Sequence, residues 1–510
     1  MPKRGDARLP GGAYYFMFAT SSHHIVIQCA ARAGATPRGT VFKQWLIAGV
    51  ASLAFCATTF AAVNTPPVNP TPPVDTTPPV IGGVAPGIAV VGQSFSFQPS
   101  ASDTAGSALT FAVANQPGWA SFDPATGRLY GVPSETDVGP NEGIAISVSD
   151  GTYQRALPAF RLTVARTPSA TQRKSNYGHY FATHYSDTPA DAAMLCEQAG
   201  VSGVVWRQTW QQVEPAQGLY DFSSFDKALT AIATSKNPQC QLWLMVEFKS
   251  FVNSPVKNPC PVYLQAQHSA PNSNGSGAAT CFMWEPEVVN AYVAMMKAAA
   301  TRFDGDPHVE GLILQESSLG FNGATSQDVD DGGSYSAPAW RDALVELIDQ
   351  CAASFANSRC VSFLNFLKGG QSYLNDISAA ISAIPGNQVC FSGPDVLPDS
   401  PGLYLDNNRA YQVLTRHVGC RSNSIQNDSY QVSGCGLDCI FHFAVSGTFG
   451  DFPKAAPLSG GLCVNSYLFW NDRTTKSATG LDWTDALPVI AANPYGPGWY
   501  QQCTGSSGAP

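Results

Sequence analysis

Residues 203–229 read GVVWRQTWQQVEPAQGLYDFSSFDKAL. Gly203-Val204-Val205-Trp206 is an unbroken apolar run, the pattern of a parallel strand covered on both faces. Arg207 and Trp210 follow where such a strand would end. Glu214-Pro215 and Gly218 make a polar turn, and Tyr220-Asp221-Phe222-Ser223 leads into a helix. Phe225, Leu229 and Ile232 then keep helical spacing. Strand, loop and helix in that order form one β/α unit.

The same alternation runs from about residue 175 to the end of the chain. It places strands at 178–184, 203–207, 241–247, 309–316, 360–366, 388–392, 424–428 and 464–470, with amphipathic helices such as 285–302 and 337–355 between them. Eight such units predict an α/β fold, a (β/α)8 barrel over residues 175–505. The stretch 251–280 is rich in Pro, Asn, Ser and Gly and is expected to lie above the barrel and shape a cleft.

Arg207, Trp210, Glu214, Pro215, Gly218, Tyr220, Asp221, Phe222, Ser223 and Asp226, in that order, resemble the second β/α unit of the barrel glycoside hydrolases grouped as clan A. The resemblance implies a glycosidase whose site lies at the C-terminal ends of the strands. Most of these aromatic residues are expected to pack the helix on the barrel, with Arg207 the exception.

Upstream, residues 80–166 read as an all-β module. Ser94–Phe97, Leu109–Val113 and Ile144–Val148 alternate as half-buried strands do. Val91-Gly92, Asn115-Gln116-Pro117-Gly118-Trp119, Ala125-Thr126-Gly127-Arg128-Leu129, Gly131-Val132-Pro133 and Val148-Ser149-Asp150-Gly151 resemble bacterial immunoglobulin-like, cadherin-like domains. Cadherin relatives hold calcium through acidic side chains, which makes Asp103, Glu135 and Asp150 the residues to watch. The plainer alternative is that they shape turns, and such modules usually serve as spacers or polymer-binding appendages.

Residues 63–79 form a Pro/Thr-rich, semi-rigid linker. Residues 41–62 combine Lys43, an apolar run from Trp45 to Phe55 and small residues at Ala57, Ala61 and Ala62, the build of a signal peptide. The run is short for a membrane span, so no stable span is expected after cleavage. Residues 1–40 show no period, and a start at Val41 would account for them. Leu53-Ala54-Phe55-Cys56 is a poor lipoprotein cleavage site, so export without a lipid anchor is favoured over membrane association.

The 510 residues carry a net charge of −9 and only 13% charged residues, against about 25% in average soluble proteins. A neutral polar surface suits a protein that handles carbohydrate polymers in the periplasm, at the cell surface or in the medium. No basic run follows the N-terminal region, which argues against nucleic acid. Of 14 cysteines, Cys29 and Cys56 fall in or before the targeting segment and the rest lie between Cys196 and Cys503. An even number in an exported chain reads as disulfides, Cys260 with Cys281 and Cys351 with Cys360 among the local pairs. Zinc is disfavoured because the cysteines form no C-x-x-C pair, Cys435 and Cys439 being the closest two. The reading needs no cofactor and expects a monomer.

The polar residues that end the expected strands are His184, Arg207, Glu247 with Lys249, Glu316, Asn365, Asp395, Gln426 with Asp428, and Asn471 beside Trp470. Of these, His184, Arg207, Gln426, Trp470 and Asn471, together with Trp210 and Gln315, are the candidates for binding substrate. Glu316 closes the apolar run Gly311-Leu312-Ile313-Leu314 and follows Gln315. The clan A resemblance makes it the acid/base, with Gln315 in place of the usual Asn. A carboxyl among apolar strand residues would suit a proton donor. The alternative is a structural ion pair with Arg207. Clan A also implies a Glu at the end of strand 7, but no Glu follows Glu346. The second carboxylate is therefore expected to be Asp395 or Asp428, with Glu247 behind them. Trp470 resembles a strand 8 platform for a sugar ring, with core packing as its alternative, and Trp206, Trp210 or Trp284 could add others. Catalysis by Ser-His-Asp lacks its G-x-S-x-G elbow, and no H-E-x-x-H is present. The rival reading is a non-catalytic carbohydrate-binding or adhesion protein with a degenerate barrel.

Overall fold

Eight parallel strands close into a barrel: β1 (Gly178–Ala182), β2 (Val201–Thr209), β3 (Gln241–Glu247), β4 (Val309–Leu314), β5 (Arg359–Phe363), β6 (Val389–Ser392), β7 (Arg421–Ile425) and β8 (Tyr467–Trp470). Each is followed by a helix: α1 (Pro189–Cys196), α2 (Ser223–Ala233), α3 (Pro286–Phe303), α4 (Ala337–Ser354), α5 (Tyr373–Ala383), α6 (Ala410–Arg416), α7 (Leu437–Val445) and α8 (Trp483–Ala492). The computed structural model describes residues 77–165, 174–250, 256–271, 277–319, 334–365, 367, 372–393, 396, 410–425, 436–445, 462–470, 481–496 and 499. The expected signal peptide and residues 1–40 lie outside the described residues, as does nearly all of the linker. Among the described residues no helix is long and apolar enough to cross a membrane.

Strand parity builds two apolar layers. Tyr180, Val205, Trp243, Ile313, Val361 and Phe469 fill the barrel interior. Alternate residues such as Val204, Leu242, Leu244, Leu312 and Leu468 pack outward against the helices. Gly203, which opens the quoted stretch, sits where a Cβ would come 2.1 Å from the Gln241 carbonyl oxygen. Any larger residue would push β2 and β3 apart.

The quoted stretch folds as one strand and one helix joined by a clamped turn. Glu214 accepts from Trp210 Nε1 at 2.8 Å, from the Gly218 amide at 2.8 Å and from Tyr263 Oη at 3.0 Å. Gly218 takes a positive φ of 71°, which a side chain would resist. The Trp-x-x-x-Glu-Pro-x-x-Gly pattern is thus a structural device. Strand 7 is the clearest displacement from expectation, running over 421–425 instead of 424–428. Its sequence, Arg-Ser-Asn-Ser-Ile, is buried throughout yet polar, so hydrophobic pattern cannot locate it.

Disulfides join Cys260 to Cys281 and Cys351 to Cys360, as expected, and also Cys196 to Cys240 and Cys390 to Cys420. Cys439 and Cys463 are disulfide-bonded too.

The N-terminal module is a β-sandwich. Thr110–Ala114, Gly139–Ser149 and Phe160–Ala165 form one sheet with two short strands, and Phe95–Phe97, Arg128–Gly131 and Ala120–Asp123 form another. Leu129, Ile144, Ile146, Val148 and Leu162 are its sealed core. The module is seated on the barrel along α2 and the end of α3. Arg161 donates to Asp306 at 2.8 Å and pairs with Glu142 at 3.1 Å, and Arg302 pairs with Asp226 at 2.8 Å. Thr230 on α2 donates to Glu142 at 2.7 Å. Beyond the module, Lys174 Nζ donates to the carbonyl oxygens of Asp304, Asp306 and Val309.

Asp103 and Asp150 close turns in this module. Asp103 accepts from the Ser107 amide at 3.0 Å, and Asp150 accepts from the amides of Thr152 and Tyr153 at 2.6 Å. Glu135 opens a short 3-10 helix. Among the described residues no three acidic, His or Cys side chains gather to hold a metal.

Candidate active site

Strand register brings together residues far apart in sequence. Thr209 on β2 lies beside Glu247 on β3, and Met245 on β3 lies beside Ile313 on β4. Arg207, two residues before the end of β2, Glu247 at the end of β3 and Glu316, two residues past β4, therefore gather at the C-terminal rim of three adjacent strands. Arg207 donates through Nε at 3.0 Å and Nη2 at 2.7 Å to one oxygen of Glu247. Tyr185, just past β1, donates to the other oxygen at 2.7 Å and stacks under the guanidinium at 4.7 Å. Glu247 is wholly buried, and both of its oxygens are occupied.

Glu316 has a different partner. Lys249 Nζ donates to it at 2.6 Å, and Asn365 at the end of β5 donates to its second oxygen. The Glu316 side chain is 25% exposed and that of Lys249 only 1%. The pairing of Arg207 with Glu316, the alternative to a catalytic role, is thus replaced by two pairs, Arg207 with Glu247 and Lys249 with Glu316. The expectation of a carboxyl among apolar neighbours is corrected as well, since a buried ammonium stands beside it. Burial pushes the Lys249 ammonium below the usual lysine range, against the pull of Glu316 and Glu247.

The frame around Glu316 is hydrogen-bonded at each step. Asn365 accepts from the Ser318 amide at 2.9 Å, and Ser317 Oγ accepts from the Asn365 amide at 3.0 Å. Trp340 Nε1 donates to the Ser317 carbonyl at 2.9 Å. Gln315, expected to bind substrate, is spent on backbone: it accepts from the Phe248 and Lys249 amides at 3.0 and 2.9 Å and donates to the Lys249 carbonyl at 2.8 Å. The insertion adds a bridge from Thr280 to Lys249, stitched by the disulfide between Cys260 and Cys281.

Two aromatic expectations are corrected by burial. Trp210 is sealed against Tyr292, edge to face at 5.0 Å. Trp470 is 1% exposed and belongs to the outer layer, because Tyr467 and Phe469 take the inward positions of β8. Its Nε1 donates to His179 Nδ1 at 2.9 Å, and His179 Nε2 meets the Asn493 carbonyl at 2.8 Å. The ring is therefore the neutral Nε2–H tautomer, and burial lowers its pKa to about 4. Trp206 and Trp284 are also buried. His184 stays at the rim, its Nδ1 2.8 Å from Ser186 Oγ. Asp395, Gln426, Asp428 and Asn471 lie outside the described residues. Nearby, Val396 donates to the Ser424 carbonyl of β7 at 2.8 Å.

Tyr185 is the one member of the cluster that sequence reasoning missed. Its signal was position alone, one residue past the expected end of strand 1.

Residues 78–165 match the family model described as "Putative Ig domain". No curated protein matches the sequence. Among solved structures, endo-glycoceramidase II from Rhodococcus sp. is similar at 15% identity and a TM-score of 0.38, over 64% of this chain and 81% of that one. A family 39 glycoside hydrolase from the gut symbiont Bacteroides cellulosilyticus WH2 is similar at 11% identity and a TM-score of 0.36, over 81% and 83%. Human protocadherin-24 EC1-2 is similar at 15% identity and a TM-score of 0.15, over 22% and 56%. Scores this low carry no inference about chemistry.

Proposed function

We propose that the protein is an exported glycoside hydrolase acting on a polysaccharide or oligosaccharide, with Glu316 as general acid/base. The observation that supports it is the exposure of Glu316: it is the open member of a four-charge cluster at the rim, where barrels of this kind keep their chemistry. Tyr185, Arg207 and Asn365 fix that cluster without occupying its open side. Asp395 or Asp428 serves as nucleophile or base, because Glu247 is buried with both oxygens bonded. Glu247 then acts electrostatically, holding Arg207 and balancing Lys249. The oxidised cysteines are compatible with an extracellular setting.

The test is Glu316→Gln, assayed on a panel of α- and β-glycans. Turnover of substrates with poor leaving groups should fall roughly 10²–10⁴-fold, and that of aryl glycosides with activated phenolate leaving groups should fall less. A fully active Gln variant would move the acid role elsewhere. The second reading, a carbohydrate-binding or adhesion protein, is favoured by the lack of any Glu after Glu346. Wild-type protein that binds glycans calorimetrically but cleaves none would establish it.

A further inference from the structure

Lys249 is an expensive residue to bury. An apolar side chain would fill its space without desolvating a charge. Its backbone is fixed on both sides by Gln315 and by the bridge to Thr280. Its ammonium is fixed by Glu316 at 2.6 Å, by the Ser318 carbonyl and by Ser318 Oγ at 3.2 Å. Among the described residues, the charged and titratable groups facing this point are Glu316 beyond β4 and Glu247 on β3. Behind Glu247 stand Arg207 on β2, Tyr185 beyond β1 and Tyr292 on α3, whose hydroxyl donates to the Val246 carbonyl at 2.6 Å. With every pair charged, the cluster of two carboxylates and two cations is neutral.

We propose that Lys249 is a positioning residue that also supplies the proton carried by Glu316. The inference rests on the reading of Glu316 as a proton donor. In the free site the proton stays on nitrogen, as ammonium beside carboxylate. A neutral sugar covering Glu316 excludes water from the pair's open side, and an ion pair loses more by desolvation than a neutral amine beside a carboxylic acid. The proton then passes from Lys249 Nζ to Glu316, leaving a neutral amine and a carboxylic acid. Glu316 gives that proton to the leaving oxygen as the glycosidic C–O bond breaks. It takes one back from the attacking water or from the medium and returns it to Lys249. Burial already weakens the hold of nitrogen on the proton, in the direction this transfer needs.

The experiment uses the full chain with Lys249→Arg and Lys249→Met, each checked for folding by circular dichroism. Arginine keeps the positive charge but does not release its proton. Lys249→Arg should lose at least about 100-fold on oligosaccharides and alkyl glycosides while staying within about threefold on nitrophenyl glycosides, the pattern of a missing acid. Equal losses on both substrate classes would overturn the proposal and leave Lys249 a structural support. A second readout needs no activity. Difference infrared spectroscopy, wild type minus Glu316→Gln, follows protonation of the Glu316 carboxyl against pH. Lys249→Met should move that titration upward by at least about one pH unit. An unmoved titration would overturn the coupling. A moved titration in a wild-type protein inert on all glycans would keep the coupled pair and reject the glycosidase reading.

Discussion

Two clusters of buried charge hold this molecule in register, one at the seam between module and barrel and one at the barrel rim. At the seam, both members of each arginine–aspartate pair are closed off: Arg161 and Asp306 at 4% and 5% exposed, Arg302 and Asp226 at 3% and 8%. At the rim the pairs are lopsided. Glu247 is sealed while Arg207 is 16% exposed, and Lys249 is sealed while Glu316 is 25% exposed. Ion pairing alone therefore does not mark a working site. Nor does one buried partner beside one open to solvent, since Arg161 and Glu142 at the seam are 4% and 44% exposed; what the rim pairs offer is a member whose environment a ligand can change.

The largest effect should come from breaking the seam. Arg302→Met leaves Asp226 buried beside an apolar side chain, and loss of one partner of a buried pair costs about 3–5 kcal/mol. Urea denaturation monitored by fluorescence would measure it. An unchanged midpoint would mean that the seam carries no stability.

The next effect sharpens the comparison with a titratable group buried without a counter-charge. His179 is held neutral by Trp470 and the Asn493 carbonyl, and its pKa is lowered to about 4 from an ordinary 6.5. A depressed histidine means that the unfolded chain binds more protons between those values. The stability it contributes is present above pH 6.5 and is lost as pH falls toward 4. At about 1.4 kcal/mol per unit this amounts to roughly 3–4 kcal/mol. Thermal melts across that range should fall steeply for the wild type and less steeply for His179→Gln. Reading the difference between the two cancels the opposing trend from Glu310, whose carboxyl burial pushes upward.

The smallest effect belongs at the rim. Glu316→Gln should change stability by less than about 1 kcal/mol, since the carboxylate already meets water. Lys249, no longer paired with a carboxylate at position 316, can shed its proton, as its burial favours. A loss as large as that of Arg302→Met would erase the distinction between the clusters.

The sequence showed the barrel wherever strands were apolar and the site wherever position sufficed. β3 was expected at 241–247 and is found there, because Leu242-Trp243-Leu244-Met245-Val246 admits no other reading. Arg207, Glu247 and Glu316 were legible as strand-end residues. Their pairing was not, since it depends on the register between strands separated by tens of residues. Trp470 was misjudged for a related reason. Tyr467-Leu468-Phe469-Trp470 is apolar throughout, so nothing in it says which residues face inward. The partnership of Cys390 with Cys420 was hidden in the same way, because only closure of the barrel sets β6 beside the start of β7.

The seating of the module has a practical side for anyone producing the barrel on its own. Leu219 of the barrel packs against the core of the module, and a Cβ on Gly87 would strike the Arg302 carbonyl, so the two surfaces touch without slack. A chain trimmed to begin at Lys174 would carry Leu219, Arg302 and Asp226 into water as a raw face. It should be recovered in low yield and aggregate on concentration. A cut upstream of residue 77 leaves that face covered and is the one to make.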